Sequence, residues 1–339
     1  MRVAHYLLCL FMSLILKWGK LPFVLALILY LLIFFIRYQQ GGWDIELDLF
    51  PEFRQSLDHR ISQLLPSPQA ELLSGILLGN KKTLPAELKL ALRDTSTLHM
   101  VVVSGQNLSM VAGFFLLLSG LIKRRIAIAF SLLAIFLYTL LTGVQVPVLR
   151  AAVMAILAFY AEAVGRQRDG IWVLIVTAGL MLLINPNWTL DLSFQLSFLA
   201  TLGIITVAPP LERVLKFLPT FLRQDLAVTT GAQLLVMPII IQNFHQLSIV
   251  GVLANLLVGW TIPFIMVLGA LMLVLGGVVS LLVSAFLTYY IYAVQFFASF
   301  PFAWEYVGEQ VWAVWVGYYL VLGGVLVALS RANKLESRV

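Results

Sequence analysis

The chain has 339 residues, of which 61% are hydrophobic and 11% charged, with a formal net charge of +6 and a mean hydropathy of +0.98. Soluble domains carry about 25% charged residues, so these charges cannot cover a water-facing globule, and an all-α, polytopic membrane protein is expected. A single cysteine, Cys9, excludes an internal disulfide and a cysteine-based metal cage, and the histidines His5, His59, His99 and His245 are too scattered for an HExxH zinc site.

In chain order, residues 1–18 read as a retained apolar segment, with no small-residue cleavage site before Lys17. Residues 21–36 form the first firm span and close an N-terminal membrane region, 1–38. In the next segment, 39–70, Phe50, Phe53, Leu57, Ile61 and Leu64 recur at helical spacing opposite Glu52, Arg54, Asp58 and Arg60. That pattern predicts an amphipathic helix lying in the membrane interface and ending before Pro66 and Pro68. The main transmembrane domain is expected over 71–330, with a tail at 331–339. Its apolar runs are the one headed by "LHMVVVSGQNLSM" (98–110), then 126–141, 148–164, 171–184, 192–208, 226–241, 249–300 and 311–329. A second short amphipathic piece falls at 211–223. Splitting 249–300 into two crossings at Gly276-Gly277 brings the expected total to about nine or ten spans.

The charges assign sides. Lys123-Arg124-Arg125, Arg166 with Arg168, Arg213 with Lys216 and Arg223, and Arg331 with Lys334 and Arg338 alternate with "TGVQVP", "NPNWTLD", "NFHQLS" and "PFAWEYVGEQ", which contain no Lys or Arg. By the positive-inside rule the basic clusters and the C-terminus face the cytoplasm and residues 39–97 lie outside. The positive charge thus reports orientation. The outer segment holds six basic against eight acidic residues, which makes no electrostatic funnel for phosphates.

Polar side chains inside hydrocarbon must face protein or water. The stretch 98–110 carries His99, Ser104, Gln106, Asn107 and Ser109 around Gly105, which permits the backbone to break. Two readings fit: a broken or re-entrant helix lining a cavity, or close helix–helix packing glued by small and amide side chains. Arg150 lies about one turn inside the membrane and Asp191 at similar depth, so an Arg150–Asp191 pair is expected, as a brace or as part of a path. Asp191 and Gln195 share a helix face, Gln233 sits mid-span, and Asn255 precedes a kink expected at Pro263. Glu162 reaches Arg166 at i+4, a structural pair, and His245 reads as interfacial.

Enzyme signatures are missing. "GILLGNKKT" departs from Walker A spacing, no GxSxG occurs, and nothing in the spacing of His99, His245 and Asp191 supports a metal site. Neither catalysis, a cofactor nor a metal is expected.

Four stretches in order, "ELLSGILLGNKKTLPAELKLALRDTSTLHMVVVSGQNLSMV", "LTGVQVPVLRAAVMAIL" ending in "VGRQRD", "NPNWTLDLSFQLSFLATLGII" and "FHQLSIVGVLANLLV", resemble the membrane-embedded domain of the ComEC/Rec family of DNA-uptake proteins. The resemblance implies a bacterial inner-membrane channel admitting single-stranded DNA during natural transformation, in contact with membrane lipids. His99, Ser104, Gly105 and Asn107 match the family's H…SG-x-[HN] element. Gly143 and Arg150 match its TG…R-A element, Asp191, Gln195 and Ser197 its D…FQLSF element, and Asn255 its ANLL element. Together with Gln106 and Gln233 from the polarity reading, the residues expected to line the path are His99, Ser104, Gly105, Gln106, Asn107, Arg150, Asp191, Gln195, Gln233 and Asn255. Family members also carry an OB-fold and a metallo-β-lactamase-like domain, for which this sequence has no room. A separate OB-fold DNA-binding protein, a nuclease and a cytoplasmic helicase motor are therefore expected partners. A small-solute transporter or a membrane anchor for such proteins is the alternative, since fold does not fix function.

Overall fold

The computed structural model describes residues 20–41, 48–80, 83–101, 105–117, 120, 123–163 and 169–336. The apolar segment 1–18, Lys81 and Lys82, Ser104 and Arg166 lie outside the described residues, as do the side chains of Gln106 and Glu162.

Hydrocarbon offers no partner to backbone N–H and C=O groups, so a chain this apolar satisfies them within helices. Among the described residues these are α1 (Lys20–Gln39), α2 (Pro51–Leu64), α3 (Gln69–Leu78), α4 (Ala86–Asp94), α5 (Leu98–Val101), α6 (Gly105–Leu117), α7 (Arg124–Thr142), α8 (Val146–Ala163) and α9 (Gly170–Ile184). After a 3-10 turn at Pro186–Leu190 follow α10 (Leu192–Thr206), α11 (Ala208–Val214), α12 (Thr220–Phe244), α13 (Gly251–Gly259), α14 (Thr261–Leu275), α15 (Gly277–Ala298) and α16 (Trp312–Glu336).

Among the described residues three helices, α12, α15 and α16, are long and apolar enough to cross a membrane, and five spans result if α10–α11 and α13–α14, bent by 43° and 42°, each count as one. This is fewer than the nine or ten expected. The difference lies in further apolar helices, among them α1, α7, α8 and α9, whose described apolar stretches run to 10–17 residues and which at one end lie within two residues of ones outside the description.

The bends correct two expectations. Run 192–208 breaks at Val207, just before Pro209-Pro210, and the expected kink at Pro263 falls instead at Trp260. Pro263 is the third residue of α14, inside the first turn, where a missing N–H costs no helical hydrogen bond. The predicted piece 211–223 is likewise divided, because Pro219 caps the start of α12. The turn at Gly276 is present, with φ +76°, a left-handed conformation that glycine adopts without strain.

The main core gathers α2, α3, α4, α5, α13, α14 and α15 around Leu72, Leu73, Ile76, Val101, Ile265 and Tyr290. The amphipathic helix α2 therefore does more than lie at an interface. Ile61 is fully buried and Leu57 and Leu64 pack on this core, while Phe50 and Phe53 stay exposed. Its predicted polar face is also engaged: Arg54 donates to the Leu141 carbonyl at the end of α7. The Asp58 carboxylate accepts from Ser74 Oγ and, at 3.4 Å, from Asn80 Nδ2. Ser74 is 1% exposed, so Asp58→Ala leaves its hydroxyl unpaired and is expected to cost about 1–3 kcal/mol, read as a lower unfolding midpoint in detergent.

Two loops expected to be irregular pair instead. Strand β1 (Gln246–Ser248) runs antiparallel to β2 (Trp304–Tyr306), with Leu247 opposite Glu305. Ser248 Oγ donates to the Asp94 carbonyl (2.7 Å) and Gln246 Nε2 to its carboxylate (3.0 Å), tying this sheet to the end of α4.

Candidate functional site

Ser96, Met100, Val101, Gly105 and Asn107 are the hub onto which otherwise distant elements converge. Helix α5 is described to Val101 and α6 from Gly105, and the interruption expected between them falls on residues 102–104, outside the described residues.

On one side stands α3. Its C-terminal carbonyls have no partner within the helix, and the Ile76 oxygen accepts from Asn107 Nδ2 (3.3 Å) and from the Tyr138 hydroxyl of α7 (3.4 Å). Asn107 is 1% exposed. A Cβ on Gly75 would lie 2.6 Å from Val101 Cγ1 and 3.0 Å from its carbonyl, so glycine lets α3 close on α5. The "GILLGN" glycines thus serve packing and, through left-handed Gly79, helix termination, not phosphate cradling. Asn107→Ala is expected to lower stability by about 1 kcal/mol, measured as the shift of thermal unfolding in detergent.

On a second side stand α8 and α10. Gly105, the first residue of α6, lies so close to the Arg150 guanidinium that a Cβ there would overlap Nη2, and it would sit 3.3 Å from Ala151 Cβ. From the same guanidinium, Nη1 donates to the Ser197 carbonyl and to Thr201 Oγ1 of α10. Arg150 thus joins three of the sequence elements that carry the resemblance. Directly beyond this contact, α6, α7 and α8 leave a cavity of about 240 Å³, lined by Leu108, Ser109, Ala112, Ile135, Ala151, Ala155 and Phe159 among others.

On a third side stands α13. A Cβ on Gly251 would meet Ser96 Cβ at 3.0 Å and Gln233 Nε2 at 3.4 Å, and one on Gly259 would meet Met100 Cε at 3.4 Å. Asn255 lies between these glycines, one turn from each, and is 6% exposed. The side-chain oxygens of both Gln233 and Asn255 are buried without a hydrogen-bond partner. His99 is exposed, with Nδ1 2.8 Å from the Ser96 carbonyl.

Asp191 and Gln195 do not join this hub. The Asp191 carboxylate caps α10 by accepting from Phe194 N (2.7 Å), and Gln195 Nε2 donates to the Thr189 carbonyl (2.8 Å). The expected Arg150–Asp191 pair is therefore not formed. Arg150 reaches α10 at Ser197 and Thr201, the latter ten residues or about 15 Å further along the helix, and the carboxylate is already held by the helix N-terminus. His245 ends α12 in a left-handed conformation, φ +54°.

Sequence reasoning missed Tyr138, Thr201 and Asp58. Thr201 was accessible in principle, because Ser197 and Thr201 share a helix face at i+4. Tyr138 and Asp58 gave no signal beyond an ordinary tyrosine in a span and an ordinary acid on a polar face. Among the described residues no group of three or more His, Cys, Asp or Glu side chains is placed to hold a metal.

Long apolar helices, bent helix pairs and polar side chains buried among them define a polytopic helical membrane protein. The competence protein family model matches residues 76–332, and the chain belongs to that family. It is 29% identical to ComE operon protein 3 of Bacillus subtilis (strain 168) over 226 residues, 66% of this chain and 28% of that protein. It is also 29% identical to the uncharacterized protein YcaI of Escherichia coli (strain K12) over 241 residues, 63% of this chain and 30% of that one. An uncharacterized protein of Aquifex aeolicus (strain VF5) is 31% identical over 176 residues, 50% of this chain and 41% of that protein. The chain thus spans less than half the length of these relatives. No solved structure matches it.

Proposed function

We propose that this chain forms the membrane passage through which single-stranded DNA enters the cytoplasm during natural transformation, in the bacterial inner membrane with its C-terminus on the cytoplasmic side. The observation that carries the reading is the hub of Ser96, Met100, Val101, Gly105 and Asn107. Polar side chains far apart in sequence, Asn107 of α6, Arg150 of α8 and Asn255 of α13, are buried within an apolar helical bundle, and α3, α8 and α13 all close on this hub. Polar side chains at membrane depth belong where a substrate passes. Membership of the competence protein family supports the same reading.

Such a passage needs positioning and an external force but no catalytic base, cofactor or metal. The force comes from a cytoplasmic helicase motor, and DNA capture and strand degradation fall to OB-fold and nuclease units outside these membrane helices.

The reading is tested by uptake of labelled single-stranded DNA into cells carrying the intact gene, a deletion, or Asn107→Ala at equal expression. The deletion is expected to abolish internal DNA with surface-bound DNA unchanged, and Asn107→Ala to reduce it several-fold. Normal uptake in the deletion overturns the reading and makes a small-solute transporter on this fold the working assignment.

A further inference from the structure

The cavity between α6, α7 and α8, about 240 Å³, offers almost no hydrogen bond to an occupant. Its walls include Ala112, Gly113 and Leu116 of α6, Ile135 of α7, and Ala155 and Ala158 of α8. The one polar side chain in the lining, Ser109, already donates its hydroxyl to the Gly105 carbonyl of its own helix (2.9 Å). A buried water needs two to four polar partners, and a polar solute needs convergent donors or acceptors. Neither suits this cavity, and an apolar chain does.

Shape and charge narrow the occupant. The lining on α8 runs from Ala151 to Phe159, about 12 Å of helix. A slot of that length and volume is too narrow for a second helix, which is about 10 Å across, and takes a single hydrocarbon chain. It opens sideways: Gly113, Leu116, Ala155 and Ala158 are half-buried, and a Cβ on Gly113 would meet nothing within 4 Å. Their chain neighbours Phe114 and Ile156 are exposed and make the rim apolar. One end of the slot is basic. Ser131 of α7 donates to the Ala112 carbonyl of α6 (2.9 Å), and Ile135 packs in one cluster with Leu108. The two helices therefore run antiparallel, which sets Leu116 level with the first turn of α7. Lys123 and Arg124 stand there, both exposed. The first turn of α7 has no acid and no side-chain cap, so the positive end of the helix dipole adds to their charge.

We propose that this slot binds an anionic phospholipid, with one acyl chain between α6, α7 and α8 and the headgroup phosphate at Lys123 and Arg124. Basic residues at the membrane surface attract anionic lipid, and burial of the chain adds an apolar term. A lipid seated here braces α6 against α8 beside the contact of Gly105 with Arg150. The site is independent of what passes through the protein, so the uptake assay judges the DNA reading separately.

The full chain is purified in neutral detergent and titrated with phosphatidylglycerol or with phosphatidylcholine of the same acyl chains, and bound lipid is counted by native mass spectrometry. The parent is expected to retain one phosphatidylglycerol with an affinity about tenfold or more above that for phosphatidylcholine. Lys123→Gln combined with Arg124→Gln is expected to bring the two lipids to parity at unchanged folded yield. Ala155→Phe, whose ring fills the slot, is expected to lose the bound lipid. Ala158→Leu, a smaller intrusion one turn along α8, gives the same test if the ring lowers the folded yield. Full retention of lipid in the folded slot variants overturns the site. Equal affinity of the parent for both lipids overturns the anionic headgroup. A parent that runs as a dimer and becomes monomeric with either slot variant places a second copy there and overturns lipid as the occupant.

Discussion

Gly203→Leu is expected to leave no monodisperse folded protein in detergent, and Gly203→Ala to lower the unfolding free energy by about 1–3 kcal/mol. Helices α10 and α12 cross backbone to backbone at this point. A Cβ on Gly203 would overlap the Gly231 carbonyl oxygen and lie 2.9 Å from the Gly231 carbonyl carbon and 3.1 Å from Ala232 Cα. Because every one of these obstacles is main chain, no rotamer change relieves the clash, and the two helices must separate. Close approach of this kind drives association in lipid, where no hydrophobic force distinguishes a neighbouring helix from an acyl chain. Gly113→Ala is the control, since a Cβ there meets nothing within 4 Å. It is expected to leave stability within about 0.5 kcal/mol of the parent or slightly above it. Size-exclusion profiles and thermal unfolding of the three variants decide the matter. Equal behaviour of Gly203→Ala and Gly113→Ala shows that the crossing is not at Gly203.

Arg150→Met is expected to reduce DNA uptake to the level of a gene deletion while the folded yield changes little. Two terms of similar size oppose each other in the fold. An arginine within a span costs roughly 2.5–3.5 kcal/mol to insert, and the substitution removes that cost. It also removes the hydrogen bonds to the Ser197 carbonyl and Thr201 Oγ1, each charge-assisted and worth about 1.5–3 kcal/mol. Methionine fills the stem's volume with flexible apolar atoms. Function has no such compensation, because methionine brings neither charge nor hydrogen-bond donors to the hub. Membrane-fraction yield and internalised DNA are measured on the same cells. If yield collapses together with uptake, Arg150 is a structural brace and its role in passage is withdrawn.

The residues named in advance divide according to how far their partners lie in sequence. Gly105, Asn107, Arg150, Gln233 and Asn255 could be singled out because a polar or breaking residue inside an apolar run is conspicuous wherever the chain goes. What each one touches was not legible. Arg150 was expected at Asp191, since both lie at similar depth, yet depth along the membrane normal does not say which helix faces which. The actual partners, a backbone carbonyl and a threonine, carry no charge that composition can flag. The amphipathic face of α2 was read from its period, but its clamp on α3 and α7 through Asp58 and Arg54 depends on Ser74 and the Leu141 carbonyl, which lie 16 and 87 residues further along the chain.

Composition and charge pattern alone determined that this is a helical membrane protein, since apolar content and the demands of backbone hydrogen bonding leave that solution for a chain of this kind. They also placed its turn at Gly276, because local backbone freedom is a property of individual residues. Only the tertiary structure decided the bends at Val207 and Trp260, the pairing of β1 with β2, the crossing of α10 and α12, and the meeting of Arg150 with α6. Each of these is a contact between segments distant along the chain. In lipid, where hydrophobic side chains are content on any face, such contacts are chosen by shape and by a few hydrogen bonds that no periodicity records.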